Sequence, residues 1–378
     1  MTEKNTQFIH TGQELDPATQ SVTPPIYRAT TYHQADPWNP PEYDYARSGN
    51  PTRHAFEAAM ATLEGGARGL AFSSGMAALT SAFMLFSQGD HLIVTRDCQG
   101  GTQRVLRSVF SRFGLQASYV DTEDFEALEQ AVLPQTKAVL VENFSNPFLH
   151  VTDMPRLAEW AHSRNLLVMV DNTFITPYLQ NPLELGADLV IHSATKMIGG
   201  HSDITAGVAV AKTDELGRQL YFIQNACGAV LSPDDSYLCL RGLHTLPVRM
   251  EQAQKSAEKL AQALFVHSQV QEVYYPGLPG HPGHDVAART MRGYGQMLTV
   301  RLKSPSLVPE AAGRLRLART GAGFGGTETI VSLPELHCHA ALTAEERTLR
   351  HITPDVLRIS VGLESAADLV ADFGQALG

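Results

Sequence analysis

Two reactive side chains each close an apolar run. Leu166-Leu167-Val168-Met169-Val170 ends in Asp171-Asn172-Thr173, and Leu189-Val190-Ile191 ends in His192-Ser193-Ala194-Thr195-Lys196. One buried-strand pattern therefore delivers a carboxylate and the next delivers an amine. That is the pair pyridoxal phosphate chemistry requires: the amine condenses with the cofactor aldehyde, and the carboxylate keeps the pyridine nitrogen protonated so that the ring accepts electrons.

Phosphate needs a separate seat. Ser73-Ser74-Gly75-Met76 follows a short apolar strand and opens a helical pattern. Free amides at a helix start, with a glycine allowing close approach, bind anions. The same letters also make an ordinary helix cap, but Ser193 and Thr195 beside the candidate amine favour the phosphate reading. Arg358, in the half-buried run Val356-Leu357-Arg358-Ile359-Ser360-Val361, reads either as a structural ion pair or as a bidentate clamp for a carboxylate.

Two further patterns carry less. Gly321-Ala322-Gly323-Phe324-Gly325-Gly326 matches GxGxxG by letter, but a strand-like run, Thr329 to Leu333, follows it. The dinucleotide fingerprint needs a strand before and a helix after, so this reads as a backbone-flexible loop. His337-Cys338-His339 has no second cluster at zinc-like spacing, and no metal is expected.

The elements that position these residues follow from periodicity. Residues 1–48, rich in Thr, Pro, Tyr and Asn, read as an extended arm that needs a partner surface to order it. Strand patterns at 91–94, 117–120, 138–141, 166–171, 189–192 and 207–210 then alternate with helical ones at 77–86, 103–113, 125–132 and 154–164. Such alternation implies right-handed crossovers and a mainly parallel sheet, here over 49–244. A long helical pattern from about 234 to 270, interrupted at Pro247, leads into a smaller α+β domain over 245–378, with half-buried runs at 296–302 and 356–361.

Composition excludes several classes. The 378 residues carry 29 Lys and Arg against 39 Asp and Glu, a net charge of −10 with no basic block, which argues against nucleic acid or an anionic membrane as partner. No apolar stretch approaches the roughly 20 residues of a membrane span. The N-terminus lacks a hydrophobic signal core, and Cys98, Cys227, Cys239 and Cys338 are scattered, so a reducing cytoplasmic location is expected.

Tyr43-Asp44-Tyr45-Ala46-Arg47-Ser48-Gly49-Asn50-Pro51-Thr52, Ser74-Gly75-Met76, Ser145-Asn146-Pro147, Val170-Asp171-Asn172-Thr173, His192-Ser193-Ala194-Thr195-Lys196, Gly200-His201-Ser202-Asp203 and Leu357-Arg358-Ile359-Ser360-Val361-Gly362 occur in this order. Together they resemble the pyridoxal phosphate enzymes of cysteine and methionine metabolism: cystathionine γ-synthase, cystathionine γ- and β-lyases, methionine γ-lyase and O-acylhomoserine sulfhydrylases. The resemblance implies the aspartate-aminotransferase-like (fold type I) architecture and a homotetramer built as a dimer of dimers. It makes Lys196 the Schiff-base lysine and Asp171 the partner of the pyridine nitrogen. Gly75, Met76, Ser193 and Thr195 become phosphate contacts, as do Tyr45 and Arg47, donated across the dimer by the arm. Asn146 matches the residue near the phenolic oxygen of the cofactor, and Arg358 the α-carboxylate clamp, which overrides its structural reading.

Three positions depart from the family pattern. Gln99, before Gly100-Gly101-Thr102, stands where a tyrosine usually covers the cofactor ring and takes part in proton transfer; an amide cannot act as an acid near neutral pH. Ala322-Gly323 replace a common Glu-Ser pair, although the Gly323 amide can still serve a carboxylate. Ala341 stands where serine is common. Against these, Arg104 matches the arginine that reads a distal carboxylate in the cystathionine enzymes, and the segment 222–236 looks closest to bacterial bifunctional γ-synthase/γ-lyase proteins. The expectation is γ-elimination or γ-replacement on cystathionine, homocysteine or an O-acylhomoserine. Its alternatives are a cystathionine β-lyase or cysteine desulfhydrase, then a methionine γ-lyase. Outside catalysis stands a pyridoxal-phosphate-binding protein with impaired turnover, kept open by Gln99.

Overall fold

The computed structural model describes residues 3–378 apart from Leu15, Pro17 and Ala341, so the departure at Ala341 lies outside the described residues. Its first strands are β1 (Arg68–Phe72), β2 (His91–Thr95), β3 (Gln116–Val120), β4 (Thr136–Glu142), β5 (Leu167–Asp171), β6 (Leu189–His192) and β7 (Gly207–Ala211). They form one sheet in the order β1-β7-β6-β5-β4-β2-β3. Strands β2 to β6 pair in parallel, while β7 is antiparallel to both of its neighbours. Helices cover both faces of such a sheet, which is why β4, β5 and β6 read as unbroken apolar runs rather than alternating ones.

The helices of this part are α1 (Lys4–His10), α2 (Pro51–Glu64), α3 (Gly75–Phe83), α4 (Gly100–Ser108), α5 (Phe125–Ala131), α6 (Met154–His162), α7 (Thr176–Leu179) and α8 (Asp214–Cys227). Cap chemistry sets several starts: Asn50 ahead of Pro51, Ser74, Asp124, Asp153 and Thr213 each accept from a first-turn amide. Helix α1 amends the reading of the arm. It packs on the chain's own core, with Phe8 fully buried and set edge-on to Tyr178.

One 33-residue helix, α9 (Pro233–Phe265), joins this sheet to a second. Its Leu240, Leu243, Leu246 and Met250 enter the large core, while Ala257, Leu260, Ala261 and Leu264 enter the other. The interruption expected at Pro247 does not occur; the helix runs through it and stops before the expected Val270. The second sheet has the order β10-β11-β12-β9-β8, built from β8 (Val270–Tyr274), β9 (Met297–Leu302), β10 (Arg319–Thr320), β11 (Ile330–Ser332) and β12 (Val356–Ser360). Helices α10 (His284–Thr290), α11 (Leu307–Arg314), α12 (Ala344–Leu349) and α13 (Ala366–Leu377) complete it. This is the mainly parallel large sheet with a smaller α+β unit that the resemblance implies. Among the described residues no helix is long and apolar enough to cross a membrane.

Candidate active site

Lys196 sits on the turn after β6, where its amide donates to Ser193 (3.1 Å) and its carbonyl accepts from Gly200 (2.7 Å). The turn is fastened from behind. Arg249 of α9 donates to the carbonyls of Met197 (2.7 Å), Ile198 (3.3 Å) and Gly242 (2.7 Å). Gly200, at φ +74°, lies against that guanidinium, so a side chain there would be strained and would collide with it. The Lys196 amine itself makes no hydrogen bond among the described residues and lies 4.5 Å from the Phe324 ring centre. Burial first, and the Arg358 charge second, hold it below the usual lysine range. A larger share of it is therefore the free base.

Around this amine is a cavity of about 510 Å³. Gly75, Met76, Gln99, Arg104, Asn146, Asp171, Ser193 and Arg358 line it together with Lys196, so the ends of β1, β2, β4, β5 and β6, with α4 and β12, bring most of the candidate residues to one place.

On one side the start of α3 offers the amides of Gly75 and Met76, which have no acceptor, while Ser74 accepts from Ala77 (3.0 Å). A Cβ on Gly75 would fall 2.7 Å from the Ser193 Cβ and 2.9 Å from its hydroxyl oxygen, so amides and hydroxyl converge where only glycine leaves room. On the floor, one Asp171 oxygen accepts from the Thr173 amide (3.0 Å) and from the Thr173 hydroxyl. Burial pushes Asp171 up, and the Thr173 bonds, then His192, pull it back. Its register partner on β4 is Glu142, whose carboxyl receives only the Gln99 amide (2.5 Å) and is pushed well up, by burial first and by Asp171 next.

On the far side Arg358 is 1% exposed. It donates to Asn146 (3.1 Å) and Ser332 (3.2 Å), while its Nε is buried without a partner. It forms no ion pair among the described residues, so the buried guanidinium keeps donor capacity for an anion from outside. The set fits pyridoxal phosphate: free amides and a hydroxyl for phosphate, a carboxylate held by Thr173 for the ring nitrogen, and an unpaired amine for the aldehyde.

Four candidates lie elsewhere. Tyr45 and Arg47 do not line the cavity; Tyr45 is 44% exposed, with the Arg47 guanidinium 5.7 Å from its ring centre. The Thr195 hydroxyl is spent on Ala206, donating to its carbonyl (3.1 Å) and accepting from its amide (2.9 Å). Gly323 does not line the cavity, whereas Ala322 beside it does. Gln99 lines the wall, but its side-chain oxygen turns back to cap α4, accepting from Gly101 (2.8 Å) and Thr102 (3.3 Å).

Sequence reasoning missed Glu142, Phe324 and Cys338, all on the cavity wall. The signal for Glu142 was present, since its strand ends in an acid just as β5 does. Phe324, the one aromatic in the glycine loop, packs edge-on against Phe174 at 4.9 Å and stands 5.0 Å from the Arg358 guanidinium. Among the described residues no group of three His, Cys, Asp or Glu side chains is placed to hold a metal.

The profile of the family described as Cys/Met metabolism PLP-dependent enzyme matches residues 5–378. A cystathionine gamma-lyase of Bacillus subtilis (strain 168) is 45% identical over 375 residues, covering 99% of either chain. The cystathionine beta-lyase MetC of the same strain is 46% identical over 372 residues, 98% of this chain and 95% of its own. A crystal structure of cystathionine gamma synthase from Xanthomonas oryzae pv. oryzae, in complex with cystathionine, superposes with a TM-score of 0.97 at 40% identity, covering 100% of this chain and 98% of that one.

Proposed function

Because the chain belongs to the Cys/Met metabolism family of pyridoxal-phosphate-dependent enzymes, with an aspartate-aminotransferase-like fold, we propose that it breaks or forms the Cγ–S bond of cystathionine-type amino acids. Pyridoxal phosphate is its cofactor and, when bound, supplies an aldehyde for amines and a protonated ring that draws electrons from Cα. Gly75, Met76 and Ser193 would hold the phosphate, Asp171 would keep the ring nitrogen protonated, and Asn146 lies beside Arg358, which would clamp the substrate carboxylate. Lys196, once free, takes the Cα proton; for γ-chemistry the same amine also moves a proton at Cβ.

The observation that carries this reading is a pair of guanidiniums in one cavity. Arg358 is buried with an orphaned Nε, and Arg104 is exposed, with no hydrogen bond or ion pair of its own among the described residues. Two such groups lining one cavity suit a substrate with a carboxylate at each end. A second reading, β-cleavage, is favoured by Gln99: with its oxygen taken up by α4 it offers no further acid, and β-elimination needs only the Cα proton. Incubating purified holoenzyme with L-cystathionine separates them. 2-Oxobutyrate supports γ-cleavage, pyruvate supports β-cleavage, and neither product, with no cystathionine formed from O-acylhomoserine and cysteine, overturns both.

We also propose that Tyr45 and Arg47 serve the cavity of a second copy in a homotetramer of cytoplasmic location. Their exposure and their absence from this chain's own cavity lining support the first part. Light scattering on the holoenzyme tests it; a monomer would end it.

A further inference from the structure

A second cavity, of about 230 Å³, opens on the same edge of the large sheet. It shares no lining residue with the Lys196 cavity. It lies where the strand order reverses: β2 leads outward to β3, and β4 begins the return through β5 and β6. Asp97 follows β2, Glu123 follows β3 and His150 follows β4, all on its wall. Doubly wound sheets place ligands in the crevice outside the carboxyl ends of the strands at such a reversal.

Its polar groups carry both signs and are incompletely paired. Asp97 Oδ1 is buried without a partner. His150 stands 3.9 Å from both the Asp97 and the Glu123 carboxylates. Arg350, 8% exposed, reaches the wall from the end of α12, and its Nη1 is likewise buried without a partner. Burial holds both carboxyls above their ordinary range, against the pull of the His150 charge.

We propose that this cavity binds a small α-amino acid as its zwitterion, the ammonium at Asp97 and Glu123 and the carboxylate at Arg350. The volume is below the roughly 300–1,000 Å³ of drug-sized sites, so the ligand has few heavy atoms. A cation alone would leave the buried Arg350 Nη1 unpaired, and an anion alone the buried Asp97 Oδ1, which is costly. An anion alone would also face Asp97, Asp121 and Glu123. The inference does not depend on which sulfur bond the Lys196 site handles.

Borohydride-reduced holoenzyme, whose Lys196 can no longer exchange with amines, is titrated calorimetrically with L-alanine, L-serine and L-methionine, and with ethylamine and propionate as one-charge analogues. At least one amino acid binds at one per chain, and the analogues bind at least about tenfold more weakly. The double variant Asp97→Asn, Glu123→Gln loses that binding by a similar factor, with wild-type melting and pyridoxyl absorbance. Should the double variant fail to fold, Arg350→Gln must show the same loss. The idea is overturned if no amino acid binds up to about 10 mM, if an analogue binds as tightly, or if a folded variant binds as wild type. The pyridoxyl absorbance reports the Lys196 site separately.

Discussion

Glu142 and Asp171 are register partners at the ends of β4 and β5, two carboxyls side by side beneath the same cavity. Neighbouring buried carboxyls do not both ionise readily. Asp171 has the Thr173 amide and hydroxyl and the influence of His192 to hold its charge, whereas Glu142 has the Gln99 amide and, more weakly, the Arg358 charge. Of the two, Glu142 is the one pushed further toward its neutral form, and Asp171 the one better held as a carboxylate.

Glu142→Gln keeps the acceptor for the Gln99 amide and removes the titration. The folded-state pKa of Glu142 lies above its unfolded value near 4.5, so the unfolded chain releases a proton that the folded one keeps. Stability from this group is present below that pH and is lost as pH rises toward the folded pKa. The apo variant should gain in melting temperature over wild type between pH 5 and 8, by about 1–3 °C. A pH-independent difference in scanning fluorimetry would refute the assignment.

Lys196→Ala removes the only amine on the cavity wall among the described residues. Turnover should fall by at least about a thousandfold, and borohydride treatment should leave no pyridoxyl label on the peptide spanning position 196. Label elsewhere in wild-type protein would move the site.

Arg104→Ala should raise KM for cystathionine by about 10- to 100-fold, the worth of a charge-assisted hydrogen bond. Cysteine and homocysteine, with one carboxylate, should be affected less than threefold. Equal losses on all three substrates would show that Arg104 does not read the distal end.

Gly75→Ala places a methyl where the phosphate seat closes on Ser193. Cofactor affinity, measured by equilibrium dialysis, should fall by at least about tenfold, and the apo protein should also melt lower, because the methyl meets the Ser193 Cα and Cβ. Unaltered affinity would put the phosphate elsewhere.

Gln99→Ala removes a helix cap. The apo protein should lose about 1 kcal/mol of stability, visible in chemical denaturation. No loss would mean that the bond to Gly101 and Thr102 contributes nothing in solution.

The residues that gather at the cavity were legible because strand ends announce themselves. A run such as Val168-Met169-Val170 must be buried, so the Asp171 that closes it stands at a sheet edge where ligands gather. Side-chain directions were not legible. Gln99 stood out as a departure, yet nothing in its letters says that the oxygen folds back onto α4. Thr195 likewise sits beside the amine but turns its hydroxyl to Ala206. Pro247 suggested a break because proline costs about 3 kcal/mol in an isolated helix. The apolar side chains that α9 buries in two cores outweigh that cost. Helix α1 escaped notice because seven residues with one buried anchor, Phe8, show no period.

The Arg249 clasp has a mechanical corollary. The rod that carries the second sheet, and with it Arg358, also grips the peptide carbonyls immediately past the reactive lysine. Arg358 and Lys196 are thus indexed to one shaft, and any swing of the smaller unit would be felt at the Lys196 nitrogen.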